Sequence, residues 1–165
     1  SYFKPLKMVA RSIDNQIFEA YAYNEVSLMR QTHLASKVKI KINDQIKMEE
    51  LICDGVLLST SAGSTAYNLS AHGSILPLDS NILALTPISA FRPRRWRGAL
   101  LSEKNKIEII VLDNKDRSSS VTADNIEFRN IEKVNIESSN ENKCTVLFDK
   151  KHSIEDKILN EQFNF

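Results

Sequence analysis

The stretch Val38-Lys39-Ile40-Lys41-Ile42-Asn43-Asp44-Gln45-Ile46-Lys47-Met48 constrains the fold of this chain more than any other. Apolar and lysine side chains alternate, Asn43-Asp44 interrupts them, and the alternation resumes. Successive side chains of a strand point to opposite faces, so the pattern specifies a hairpin with one apolar and one lysine-bearing face. The same signature recurs. Runs at 7–12 and 17–23 flank the turn signal Asp14-Asn15, and Val26-Ser27-Leu28-Met29-Arg30 continues as strand. Residues 51–59 read as one buried strand, and Ile82-Leu83-Ala84-Leu85-Thr86-Pro87-Ile88 as a strand ended by proline. Strand-like runs follow at 106–112, 119–123, 126–129, 133–137 and 143–148, punctuated by Asp113-Asn114, Asp124-Asn125 and Ser138-Ser139-Asn140. About ten short strands spaced roughly 8–12 residues apart predict a mainly β chain folded as an antiparallel β-sandwich.

Two segments break the period. Ser64 and Thr65 are N-cap residue types, and an internal helix is expected over 65–72. Residues 153–163 place Ile154, Ile158, Leu159 and Phe163 on one face, with Ser153 and Asp156 at a helix start, which predicts a C-terminal helix.

Composition bounds the function. At 165 residues, with no internal repeat and no low-complexity linker, the chain is expected to form one domain over 1–165. A net charge of +1 gives no global signal for nucleic acid or for a membrane surface. No apolar run approaches the roughly 20 residues of a membrane span. No signal peptide is visible, and Ser1-Tyr2-Phe3-Lys4-Pro5 has the character of mid-domain sequence. Cys53 and Cys144 do not form a metal spacing and are expected as buried free thiols in a reducing cytosol. His33, His72 and His152 are too scattered for a metal set. Arg92, Arg94, Arg95 and Arg97, around Trp96, read either as a solvated loop or subunit contact or as a phosphate contact.

The chemistry concentrates in Cys53-Asp54-Gly55-Val56-Leu57-Leu58-Ser59-Thr60-Ser61-Ala62-Gly63-Ser64-Thr65-Ala66-Tyr67-Asn68-Leu69-Ser70. An apolar strand delivers the backbone into small polar residues, a glycine, and then an aromatic ring. Strand, glycine turn and helix start would present free backbone N–H groups and hydroxyls to a ligand, with Tyr67 available to stack on a flat ring. On residue types alone, a turn that binds nothing is the other reading. Asp54, flanked by apolar residues, must have a partner or face a cleft, because an unpaired buried carboxylate is costly.

Gly63-Ser64-Thr65-Ala66-Tyr67 resembles the Gly-Ser-Thr-Ala-Tyr signature of NAD kinases. Asn24-Glu25-Val26 resembles the Asn-Glu motif upstream of it in that family, and Asp54-Gly55-Val56 the Asp-Gly that opens the signature strand. Leu85-Thr86-Pro87-Ile88 and Phe91-Arg92-Pro93 resemble the two segments downstream. Order and approximate spacing agree for all of these blocks, and the likeness runs over essentially the whole chain. Residues 68–77, 94–98 and 148–163 look most like the alphaproteobacterial branch. The Gly-Gly-Asp-Gly loop of the family's N-terminal domain, with its presumed catalytic or phosphate-positioning acid, is missing, so the sequence resembles the C-terminal domain alone. The family usually has proline at the positions of Ser61 and, often, Ser74, which puts the rigidity of the ligand loop in question.

The resemblance implies an enzyme that phosphorylates the adenosine 2′-hydroxyl of NAD to give NADP, with ATP as donor and Mg²⁺ or another divalent metal travelling with it. It implies adenosine contacts from Asn24, Glu25, Thr65, Ala66 and Tyr67. Ser70 lies one helical turn beyond Ala66 on the same face. It implies contacts on the nicotinamide side from Asp54, across a subunit interface, and from Ser89. No catalytic residue and no metal ligand is expected in this chain. NAD, NADP and ATP, the chain's own N-terminal domain and a homodimer or homotetramer are the implied partners, in the cytoplasm. The other reading is a dinucleotide-binding or oligomerisation module without activity of its own.

Overall fold

Every strand pairing in the computed structural model, which describes residues 2–140 and 144–145, is antiparallel. The strands are β1 (Tyr2–Phe3), β2 (Leu6–Ser12), β3 (Ile17–Ala22), β4 (Glu25–Arg30), β5 (Ser36–Ile42), β6 (Gln45–Cys53) and β7 (Gly55–Ser59). After the short helix α1 (Tyr67–Ser70) come β8 (Ile82–Ile88), β9 (Ala99–Ser102), β10 (Ile107–Leu112), β11 (Ser119–Ala123), β12 (Ile126–Phe128), β13 (Ile131–Ser138) and β14 (Cys144–Thr145). One six-stranded sheet has the order β3-β2-β13-β10-β5-β6, and the other has β12-β11-β4-β7-β8-β9; β1 pairs with β14. The predicted sandwich is therefore present. The C-terminal helix expected over 153–163 lies outside the described residues.

The alternating hairpin forms as its pattern requires. Asn43 and Asp44 both take positive φ, 51° and 64°, the conformation of a two-residue turn whose twist matches the flanking strands. Val38 and Ile40 of β5 face Ile107, Ile109 and Val111 of β10 inside the core, while the lysines stay at the surface. From the second sheet Val26, Leu28, Val56, Leu58, Leu83, Leu85 and Val121 close the same core. Each such side chain contributes roughly 1.5–3 kcal/mol by leaving water.

Three local expectations are corrected. The strand read over 51–59 is two strands. β6 ends at Cys53 in the first sheet, β7 begins at Gly55 in the second, and Asp54 carries the chain from one to the other. Its carbonyl accepts from Arg30 N at 2.9 Å and its N–H donates to Ile88 O at 2.9 Å, so β4 and β8 of the second sheet hold the corner from either side. Gly55 makes the corner possible, since a Cβ there would stand 2.3 Å from the Leu28 carbonyl oxygen. Secondly, the strand over Ile82–Ile88 has the expected bounds, but Pro87 is paired within it rather than being its stop. It pairs with Val56 but lies beyond Leu85, the last residue paired with β9 on the other side. Thirdly, the helix expected over 65–72 is a single turn, Tyr67–Ser70, with Ala66 at its N-cap and no side-chain cap. A turn this short gains no cooperativity, and positive φ at His72 stops it.

The second sheet is covered on both faces. β7 is buried at every position from Gly55 to Ser59. Leu57, Leu76 and Ala84 are buried yet stand outside the core between the sheets, because the segment connecting β7 to β8 crosses the outer face. That segment carries the glycine loop and α1.

Candidate functional site

On β4, Val26 and Leu28 point into the core, so Glu25, Ser27 and Met29 point to the outer face. Tyr67 reaches across to them, its hydroxyl lying 3.5 Å from the Met29 sulfur. Partial burial pushes the Tyr67 phenol above its ordinary value, and the negative charges of Glu25 and Asp54 raise it further. These three predicted site residues thus share one electrostatic neighbourhood, and the phenol stays protonated through neutral pH as a donor.

Asn24 and Glu25 leave the turn after β3 and are joined directly to the glycine loop. Thr60 N donates to Asn24 O at 2.9 Å, and the Thr60 hydroxyl donates to Tyr23 O at 2.6 Å. The same hydroxyl accepts from Gly63 N at 3.1 Å. A Cβ on Gly63 would stand 2.1 Å from the Asn24 carbonyl oxygen, so only glycine permits the loop to pack on this backbone. The two motifs, some forty residues apart in sequence, are one structural unit.

Three of the loop's N–H groups are engaged within the loop itself. Gly63 N is taken by Thr60, Ser64 N by Ser61 O at 3.3 Å, and Ala66 N by Gly63 O at 3.0 Å. The Ser64 hydroxyl, expected to cap a helix, donates to Ser61 O at 2.9 Å and accepts from Leu76 N at 2.9 Å. What the loop does hold in reserve is Thr65. Its side chain is 1% exposed, and its hydroxyl oxygen has no hydrogen-bond partner. A buried hydroxyl left in that state costs free energy until something bonds to it. Ala66 is half-buried beside it, and Ser70 is exposed at the end of α1.

Asp54 has the partner its setting demands: Arg30 Nε donates to Oδ1 at 2.9 Å, and Arg30 Nη1 binds Thr32 O. Ser89 is exposed directly after β8 with φ of 49°, next to the Ile88 carbonyl that holds Asp54 N. Asp54 and Ser89 are thus adjacent through the backbone.

Several residues that shape the site escaped the sequence reading. Asn68 is completely buried under the loop, donating to Ser64 O at 3.3 Å and Ser74 O at 2.7 Å and accepting from the Thr86 hydroxyl at 2.6 Å. Asp124 accepts from the backbone N–H of Tyr23, Asn24 and Glu25 at 2.7, 2.9 and 3.2 Å. In the sequence Asp124-Asn125 is only turn punctuation, and nothing in it points a hundred residues back. Ser61, at the position where proline is usual in the resembled family, ties the loop in another way, donating to Leu78 O at 3.2 Å. Arg92, Arg94, Arg95 and Arg97 are exposed on the connection between β8 and β9, anchored where Ile52 N donates to Arg92 O at 2.9 Å.

Among the described residues no group of three or more His, Cys, Asp and Glu side chains converges to hold a metal ion. Also among the described residues, no helix is long and apolar enough to cross a membrane.

Comparison with known proteins places this arrangement. The yeast NADH kinase crystallised with NADH superposes with a TM-score of 0.76 at 24% identity, over 84% of this chain and 41% of that one. An NAD kinase from Archaeoglobus fulgidus in complex with ATP gives a TM-score of 0.70 at 24% identity, over 85% of this chain and 52% of that one. These likenesses show the fold. The NAD kinase of Hyphomonas neptunium is 51% identical over 161 residues, 98% of this chain and 63% of its own length. That of Xylella fastidiosa strain Temecula1 is 52% identical over 162 residues, 98% of this chain and 62% of its own. The chain thus spans just under two thirds of the curated relatives it matches. Residues 23–148 match the family described as the ATP-NAD kinase C-terminal domain. On that match and those identities, the chain belongs to the ATP-NAD kinase family and corresponds to its C-terminal domain.

Proposed function

We propose that this chain is the dinucleotide-binding part of an NAD kinase, which transfers the γ-phosphoryl group of ATP to the adenosine 2′-hydroxyl of NAD and yields NADP. The observation that carries the reading is the joining of the Asn24-Glu25 turn to the glycine loop beneath Tyr67, beside the unpartnered Thr65 hydroxyl. In the transfer, the ribose oxygen bonds to phosphorus, the bond between that phosphorus and the β,γ-bridging oxygen breaks, and the hydroxyl loses its proton. This chain's share is placement. The Asn24 amide offers both donor and acceptor to an adenine or ribose edge, and the Glu25 carboxylate accepts from ribose hydroxyls. Thr65 bonds by its hydroxyl, and Tyr67 flanks the adenine ring. Ala66 leaves room for it, and Ser70 lines the same side. Asp54, held by Arg30, and Ser89 serve the nicotinamide side, where a second subunit of a homodimer or homotetramer completes the site.

The aspartate of the Gly-Gly-Asp-Gly segment of such kinases, outside the sequence described here, takes the proton as its carboxylate or positions the phosphate. Mg²⁺ enters with ATP as its counter-ion and is assigned to no residue of this chain. The enzyme works in the cytoplasm, and residues 1–165 act as one domain. NADP formation from NAD and Mg-ATP tests the reading, with the complete reading frame and this 165-residue chain assayed in parallel. Turnover in the long form and none in the short is expected. Turnover in neither favours a binding or oligomerisation module, and turnover in the short form overturns the division of labour.

A further inference from the structure

The Asp124 carboxylate receives three successive backbone N–H groups, those of Tyr23, Asn24 and Glu25. Asp124 N returns a bond to Glu25 O at 3.0 Å. Convergent backbone N–H groups of this kind form an anion-binding concavity, and bonds to an ionised acceptor are the stronger class. Here the anion is supplied by the protein itself, from the turn between β11 and β12. Asp124 holds this turn with φ of 53°, a conformation that Asp tolerates better than most residues. On its other side the same 23–25 backbone is held by Thr60, whose N–H donates to Asn24 O at 2.9 Å and whose hydroxyl donates to Tyr23 O at 2.6 Å. The peptide of Asn24 is thus clamped at its N–H by Asp124 and at its carbonyl by Thr60, which fixes where both motif side chains leave the backbone.

We propose that Asp124 is a positioning residue for dinucleotide binding, setting the Asn24-Glu25 turn against the glycine loop. The inference rests on the function proposed above. In an Asp124→Asn variant the charge is lost, and an amide NH₂ replaces one of the accepting oxygens, opposing donor to donor. The turn then relaxes at the residues that meet the dinucleotide.

The test is steady-state kinetics of the complete protein with NAD and Mg-ATP varied separately. If the unmodified protein forms no NADP, the functional reading itself fails. If it is active, Asp124→Asn is expected to raise the KM for NAD tenfold or more and to change that for ATP less than twofold. The double variant Asn24→Ala/Asp124→Asn should be no worse than the poorer single variant, since both act on one turn. An unchanged KM for NAD, an equal rise in both constants or full additivity would overturn the positioning role, whatever happens to the melting temperature. Should Asp124→Asn fail to fold, Asp124→Glu keeps the charge but displaces it by one methylene, and the same split is expected at smaller size.

Discussion

The two sheets share a core and differ outside it. In β2, β5 and β10 of the first sheet, burial alternates residue by residue, with Lys37, Lys39 and Lys41 on the outer side of β5. In the second sheet β7 is buried throughout, because the 60–81 segment and α1 cover its outer face. The first sheet turns the lysine-bearing side of β5 to solvent. The second gains a third layer, and Tyr67 of that layer meets Met29 on the outer face of β4, near the charges of Glu25 and Asp54.

The largest effects should come from the doubly covered strand. Leu57→Ala and Leu58→Ala point to opposite faces of β7, and each is expected to cost about 2–5 kcal/mol in denaturant unfolding. The corresponding neighbours in the first sheet should differ sharply, with Ile40→Ala costing as much and Lys41→Ala within about 0.5 kcal/mol. A small effect at Leu57 would break the comparison. Gly63→Ala forces a Cβ onto the Asn24 backbone and is expected to cost about 1–3 kcal/mol, with dinucleotide binding lost, as read by unfolding and by ligand titration. Tyr67→Ala should raise the KM for NAD about tenfold, the magnitude of a lost ring contact, and that for ATP little. Tyr21→Ala, on β3 of the first sheet, should change neither. Thr65→Val removes a buried hydroxyl that has no partner, so the free protein should keep or gain up to about 1 kcal/mol while NAD binding weakens about fivefold. A stability loss without a binding loss would remove Thr65 from the site.

The smallest effect concerns Cys53, buried at the end of β6. Burial, with the neighbouring Asp54 charge, pushes its thiol up to about 12. The native state therefore keeps the proton while the unfolded thiol ionises near 9, so this group's stabilisation is complete below pH 9 and is lost as pH rises towards 12. In a Cys144→Ser background, a thiol reagent at pH 8 should label Cys53 only after unfolding. Rapid native labelling would show the β6–β7 corner to be open.

Much of this was legible one residue at a time. Alternation located the strands of the first sheet, because one face meets water and the other does not, although β6 runs on to Cys53 past the alternating 45–48. Where both faces are covered, alternation vanishes, and 51–59 read as one strand although the chain changes sheets at Asp54. The helix over 65–72 was overestimated for a related reason. Ser64 is a good capping residue by type, but its hydroxyl is engaged by Ser61 and Leu76 instead. Asn68 and Asp124 carried no local sign of their roles, since their partners come from Thr86, Ser74 and the 23–25 turn.

The sequence by itself determined the class of fold and the family, because hydrophobic period, turn chemistry and short ordered motifs are local properties that survive in one dimension. Only the tertiary structure decided how the motifs become a site. Gly63 meets Asn24, Tyr67 meets Met29 and Asp124 holds the 23–25 turn through contacts between segments 38 to 101 residues apart. Such contacts depend on how the second sheet is ordered and covered, and no local pattern encodes that.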